Sequence, residues 1–164
     1  MLVAILFWIV FAVVMCFAFV VFFGAPFLPT LRPQIATALD LLDLKPGQTM
    51  LELGCGDGRV LIAAAERGIN VVGYELNPLL AAFAWLRTRQ YGKQVKVVCG
   101  DYWRLKWPRA DAVFGFILPR YMGKLHKKVM QYPNRPLRIA SFAIPIPEKK
   151  PKKVRQGVYL YEYK

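Results

Sequence analysis

Glu52-Leu53-Gly54-Cys55-Gly56-Asp57-Gly58-Arg59 is the stretch on which the fold turns. Three glycines alternate with other residues where the flanking pattern marks a strand-to-helix turn. Glycine in such a turn lets the backbone approach a ligand closely, because no Cβ intrudes and positive φ is allowed. A dinucleotide-binding turn, G-x-G-x-x-G, needs its third glycine at position 59, and that residue is Arg59. The spacing here is G-x-G-x-G, with Glu52 two residues ahead. It suits a cofactor with a positively charged amino-acid end. A pyrophosphate beside Glu52 and Asp57 is repelled, whereas an ammonium and a sulfonium are attracted.

Outward from this loop, strands and helices alternate. Thr49–Leu53 reads as a short buried strand, and the helix from Gly58 to Arg67 is closed by Gly68. Asn70–Tyr74 is the next strand, followed by a helix over Pro78–Gln90, with Pro78 suited to a first helical turn. Val95–Val98 and Ala110–Ile117 are further strands, Arg120–Met130 is a basic helix, and Leu137–Phe142 and Val158–Tyr163 are later strands. This alternation predicts an α/β, Rossmann-like fold whose mostly parallel sheet carries helices on both faces. Ahead of it, residues 34–44 place Ile35, Ala38, Leu39 and Leu42 on one face of a short amphipathic helix. Residues 147–155 read as an exposed basic loop.

Two acids stand where strands end. Glu75 follows the second strand, where a carboxylate can accept hydrogen bonds from both hydroxyls of a ribose. Asp101, in Gly100-Asp101-Tyr102, can take an adenine amino group while Tyr102 stacks on the ring. Gly-Asp after a strand is also ordinary turn chemistry.

Glu52–Arg59, then Tyr74-Glu75-Leu76-Asn77-Pro78, then Gly100-Asp101 resemble the cofactor motifs of class I S-adenosylmethionine-dependent methyltransferases. More narrowly, Gly56–Arg59 with Tyr74–Pro78 resembles the small membrane-anchored protein-lysine methyltransferases that modify the ATP synthase c-ring protein and the adenine nucleotide translocator. The likeness runs from Pro26–Thr30 to about Pro147. It implies S-adenosyl-L-methionine as cofactor, held by Glu52, Gly54, Gly56, Asp57 and Gly58 in the loop. Glu75 and Asn77 then belong to the ribose end, and Asp101 and Tyr102 to the adenine end. It also implies a lysine acceptor in a membrane or membrane-proximal protein. After the fourth strand the chain reads Phe116-Ile117-Leu118-Pro119-Arg120-Tyr121, where that family varies, so Pro119 and Tyr121 are expected to line the acceptor channel. An Asp/Asn-Pro-Pro-aromatic sequence, typical of enzymes that methylate nucleobase amines, is absent, which counts against a nucleic-acid acceptor.

The N-terminus is of another kind. Residues 2–23 carry no charged or strongly polar side chain. As a helix they measure about 33 Å, against a hydrocarbon core of roughly 30 Å. A signal peptide calls for a basic n-region, yet the first Arg or Lys is Arg32. The expectation is a transmembrane anchor over residues 1–24, a proline-rich linker over 25–33, and a methyltransferase domain over 34–164. Positive charge follows the span, so a single-pass membrane protein with a cytoplasmic catalytic domain is expected.

Charge separates the halves: residues 1–100 carry a net +2 and residues 101–164 a net +11. That basic half suits anionic headgroups or nucleic acid, or is a solvated face. Cys16, Cys55 and Cys99 lack metal-ligand spacing, and His126 has no second ligand nearby, so no metal is expected. Two other functions remain open at this point: methylation of a lipid or quinone headgroup, and a non-catalytic membrane-tethered binding protein on a relic cofactor fold.

Overall fold

The computed structural model describes residues 1–23, 28–147 and 149–164, without the side chains of residues 16 and 19–23. Glu148 and residues 25–27 of the expected linker lie outside the described residues. In chain order the elements are α1 (Leu2–Phe23), α2 (Arg32–Leu42), β1 (Thr49–Leu53), α3 (Arg59–Ala65), β2 (Asn70–Glu75) and α4 (Pro78–Thr88). They continue with β3 (Val95–Cys99), β4 (Ala112–Gly115), α5 (Met122–Met130), β5 (Leu137–Phe142), β6 (Lys153–Arg155) and β7 (Val158–Tyr163).

The strands form one seven-stranded sheet in the order β3-β2-β1-β4-β5-β7-β6. The first five are parallel; β7 returns antiparallel to β5, and β6 pairs antiparallel with β7. Alternation along the strands builds two cores. Met50, Ala112, Phe114 and Leu160 face α2 and α3, while Leu51, Val113, Ile139 and Tyr161 face α5 with Trp107 and Tyr132. The predicted apolar stripe Ile35, Ala38, Leu39, Leu42 of α2 is buried. From β1 the chain winds out to β3, then crosses back to β4 on β1's other side. Connections therefore diverge between β1 and β4, which opens a crevice at the strands' carboxyl ends.

Some expectations change. The fourth strand is shorter than Ala110–Ile117, because the chain after Gly115 leaves the ladder and turns at Pro119. The basic helix starts at Met122, after a single 3₁₀ turn over Pro119–Tyr121. Within the expected basic loop, Lys153–Arg155 pairs with β7 as an edge strand whose side chains are all exposed. His126, expected at the surface, is half-buried, with Nδ1 2.8 Å from the Tyr163 hydroxyl.

The N-terminal expectation is corrected. Among the described residues, no helix is long and apolar enough to cross a membrane. The part of α1 described without interruption, residues 2–15, is about 21 Å long at the usual rise, short of a hydrocarbon core of roughly 30 Å. The transmembrane anchor over residues 1–24 is thus not supported. Neither is the single-pass membrane localisation, nor the cytoplasmic placement of the domain that followed from it.

Candidate active site

The carboxyl ends of β1, β2, β3 and β4 surround a cleft of about 430 Å³, within the range of small-molecule sites. Its floor is the glycine loop. Gly54 and Cys55 N–H both donate to the Tyr74 carbonyl at 2.9 and 2.8 Å, folding the loop back onto the end of β2. At Gly54 φ is +83° and a Cβ would meet nothing within 4 Å, so the backbone lies bare there. Gly58, with φ +78°, is not a cleft residue. A Cβ on it would approach the Cβ of Ala84 to 3.2 Å, so its smallness lets the start of α3 pack on α4.

Glu75 is buried and already serves the protein. Oε2 accepts from Gly56 N–H and Oε1 from Asn77 N–H, both at 2.8 Å. One carboxylate thus locks the loop to the end of β2 and keeps lone pairs free for further donors. Asn77 in turn caps α4, its Oδ1 accepting from Leu79 and Leu80 N–H at 2.9 and 3.3 Å, which satisfies donors that a helix start leaves open. Loop, strand end and helix start form one hydrogen-bonded unit.

Glu52 differs. It is 3% exposed, and its Oε2 is buried without a hydrogen-bond partner. Burial, then the charges of Glu75 and Asp57, push its carboxyl well above the ordinary range. A buried polar atom without a partner is costly, and this one lines the cleft. Asp57 is the reverse case. Burial alone would raise its carboxyl, but hydrogen bonds from Arg59 and the charges of Arg59 and Arg87 hold it below the ordinary value. Arg59 Nε and Nη2 each donate at 2.9 Å, and Arg87 Nη1 at 2.7 Å. Asp57 is neutralised in place, and the uncompensated acid of the loop is Glu52. Neither arginine was foreseen as part of the site. Arg87 had a signal, since it lies three residues after buried Ala84 on the same side of α4.

At the β3 end, Asp101 and Tyr102 both line the cleft. Asp101 also does the turn work that Gly-Asp allows, with Oδ1 accepting from Trp103 N–H at 2.8 Å. Burial, then the neighbouring Asp101 charge, raises the Tyr102 phenol far above its usual value. The Tyr102 ring lies 4.7 Å from that of Trp103.

The remaining wall is apolar and aromatic: Phe114, Phe116, Leu118, Tyr121 and Trp103, with Leu28, Pro29 and Thr30 from the segment before α2. Tyr121 is therefore in the cleft. Pro119 is exposed, starts the 3₁₀ turn and does not line it. Thr30 is buried, and its carbonyl accepts from Arg59 Nη1 at 3.4 Å, tying the segment before α2 to the glycine loop. Residues expected to be linker are thus a wall of the site. Cys55 is buried, and burial raises its thiol, so it is not a poised nucleophile. Among the described residues no three His, Cys, Asp or Glu side chains group to hold a metal ion.

Known proteins with this arrangement are similar over most of the chain. Residues 52–153 match the family model of the ANTKMT methyltransferase domain. The lysine N-methyltransferase of Homo sapiens named for the ATP synthase c-ring protein is 32% identical over 124 residues, which cover 74% of this chain and 53% of that protein. The adenine nucleotide translocase lysine N-methyltransferase of Mus musculus is 31% identical over 129 residues, 77% of this chain and 56% of that protein. The chain spans about half the length of these relatives. Among solved structures, an RNA methyltransferase from Salinibacter ruber in complex with S-adenosyl-L-homocysteine superposes with a TM-score of 0.76 at 26% identity. That match covers 82% of this chain and 93% of that one. A methyltransferase from Thiobacillus denitrificans shares the fold, with a TM-score of 0.58 at 24% identity over 70% of this chain and 49% of that one. The chain belongs to the ANTKMT methyltransferase-domain family.

Proposed function

We propose that this protein is an S-adenosylmethionine-dependent methyltransferase whose acceptor is a lysine side chain of a membrane or membrane-proximal protein. One observation carries the cofactor: the buried, unpartnered Glu52 Oε2 at the floor of the cleft, beside a bare glycine backbone. An α-ammonium is the group that such a carboxyl lacks. A pyrophosphate there would face Glu52 and Glu75 with Asp57 already spent on Arg59 and Arg87. The other residues fit the same occupant. Glu75 has lone pairs left for ribose hydroxyls, and Asp101 with Tyr102 suits an adenine amino group and ring. Gly54 and Gly56 leave room for close approach, while Gly58 and Asn77 support the loop and α4 from behind.

When bound, S-adenosylmethionine supplies a methyl group on a sulfonium, open to in-line displacement. The chain's own work is then to align and to exclude water. Alignment alone can supply up to about 7–11 kcal/mol in favourable systems. Tyr121, Leu118 and Phe116 form an apolar approach that disfavours a charged amine and so helps an acceptor lysine lose its proton to solvent. Pro119 sets the turn that presents Tyr121.

The lysine acceptor is supported by relatives of the same family, named as lysine methyltransferases of the ATP synthase c-ring protein and of the adenine nucleotide translocase. A second reading has its own support: the Salinibacter ruber RNA methyltransferase is matched over nearly its whole length, and residues 101–164 carry a net +11. Methyl-labelled cofactor, incubated with the protein and a membrane fraction containing RNA, separates them. Label recovered as methyllysine after protein hydrolysis is the expected result; label in nucleotides or in the lipid extract would replace the lysine reading.

A further inference from the structure

The aromatic wall contains a residue whose place in the sequence gave it no role. Trp103 follows the two residues at the adenine end, yet its ring meets the acceptor wall. Its ring neighbours are Tyr102 at 4.7 Å and Tyr121 at 5.8 Å, the latter from the turn after β4. Its backbone is held from two sides: its N–H donates to Asp101 Oδ1 at 2.8 Å, and its carbonyl accepts from Lys128 Nζ of α5 at 2.9 Å. The indole is thus fixed between the cofactor end and the acceptor wall, and it lines the cleft. Its face also takes an ammonium, since Lys124 Nζ of α5 lies 4.6 Å from the ring centroid. Indole is the side chain with the strongest such attraction.

We propose that Trp103 recognises the acceptor nitrogen, offering its ring to the ammonium of lysine and of its methylated products. The inference rests on the lysine reading of the site. Attraction to a ring face needs charge and not N–H groups, so it survives as hydrogens on the nitrogen are replaced by methyl groups. An acceptor site built on hydrogen bonds loses a partner at each replacement. Trp103 is therefore suited to keep a partly methylated lysine in the cleft, whereas a hydroxyl or ring-nitrogen acceptor, being neutral, gains nothing from it.

The test uses the full chain saturated with S-adenosylhomocysteine and a short peptide carrying trimethyllysine. The same peptide with an uncharged tert-butyl isostere in its place is titrated alongside. Calorimetry of the wild type should give about tenfold tighter binding of the charged peptide, the scale of one well-placed cation–π contact. In Trp103→Leu the ratio should fall to near one, and in Trp103→Phe, which keeps a ring for packing, to an intermediate value. S-adenosylhomocysteine should bind all three proteins within about twofold. An unchanged ratio in both variants, no binding of either peptide to the wild type, or a loss of S-adenosylhomocysteine affinity in Trp103→Phe would overturn the proposal. Failure of the lysine reading shows elsewhere, as wild-type label in nucleotides or lipid.

Discussion

The two sides of the cleft are built on opposite plans. The cofactor side is a lattice of backbone hydrogen bonds organised by acids: Glu75 holds Gly56 and Asn77, Asn77 caps α4, and Asp57 is clamped by Arg59 and Arg87. The acceptor side is a set of rings and apolar side chains from four separate segments, with hydrogen bonds mainly at its edges. A lattice of short-range bonds fixes one geometry for one ligand. A wall of apolar surfaces sets size and polarity and leaves the acceptor to be chosen by a few side chains. Changes on the cofactor side should therefore remove binding, and changes on the acceptor side should redistribute substrates.

The largest effect is expected from Glu75→Ala. It unpairs two buried N–H groups and removes the ribose acceptor, at about 1.5–3 kcal/mol per bond to a charged group. S-adenosylhomocysteine affinity should fall at least about 100-fold by calorimetry; wild-type affinity would break the comparison at its strongest point. Next is Gly58→Ala, which must adopt φ +78° with Ala84 3.2 Å from the new Cβ. A loss of about 1–3 kcal/mol is expected in denaturant titration, and an unchanged midpoint would remove the packing role given to Gly58.

Asp57→Asn sharpens the electrostatic part. The folded Asp57 carboxyl titrates below its ordinary value, so ionised Asp57 stabilises the fold above about pH 4. That contribution is lost as the pH falls through the lower folded value. The variant should lack this part of the acid limb in a plot of melting temperature against pH; an identical limb would mean the clamp is idle. Smaller still are the effects on the other wall. Tyr121→Ala should raise KM for a lysine acceptor several-fold while S-adenosylhomocysteine affinity stays within about twofold, and Pro119→Ala should change both less. If Tyr121→Ala weakened the cofactor as much as Glu75→Ala, the two sides would not be separable.

The same division explains what could be read from the sequence. The glycine loop, Glu75 and Asp101 were legible because each is local: a spacing within eight residues, or an acid at the end of a buried strand. Strand and helix succession was legible for the same reason, and β5 and β7 have the predicted bounds. The acceptor wall depends on what the crossover from β3 to β4 and the segment before α2 bring together. Thr30 and Trp103 therefore looked like linker and loop. Asp57 was read correctly as a loop residue but with a free charge, because its partner Arg87 is 30 residues away. The apolar N-terminus is the opposite lesson: composition and length suggested a span, and among the described residues no helix meets that requirement.

The central claim is that Glu52 waits, uncompensated, for a cationic group. Burial holds its carboxyl in the neutral form well above the ordinary range. The fold therefore loses stability as pH rises from the unfolded carboxyl's value of about 4.3 through the folded one. Glu52→Gln keeps the shape and removes that penalty. Calorimetry and thermal melts of the two proteins at about pH 7.5, above the unfolded carboxyl's value, test the claim in one comparison. The account predicts a variant at least as stable as the wild type that binds S-adenosylhomocysteine about tenfold or more weakly. A variant that binds equally well, or one that is less stable than the wild type, would contradict it.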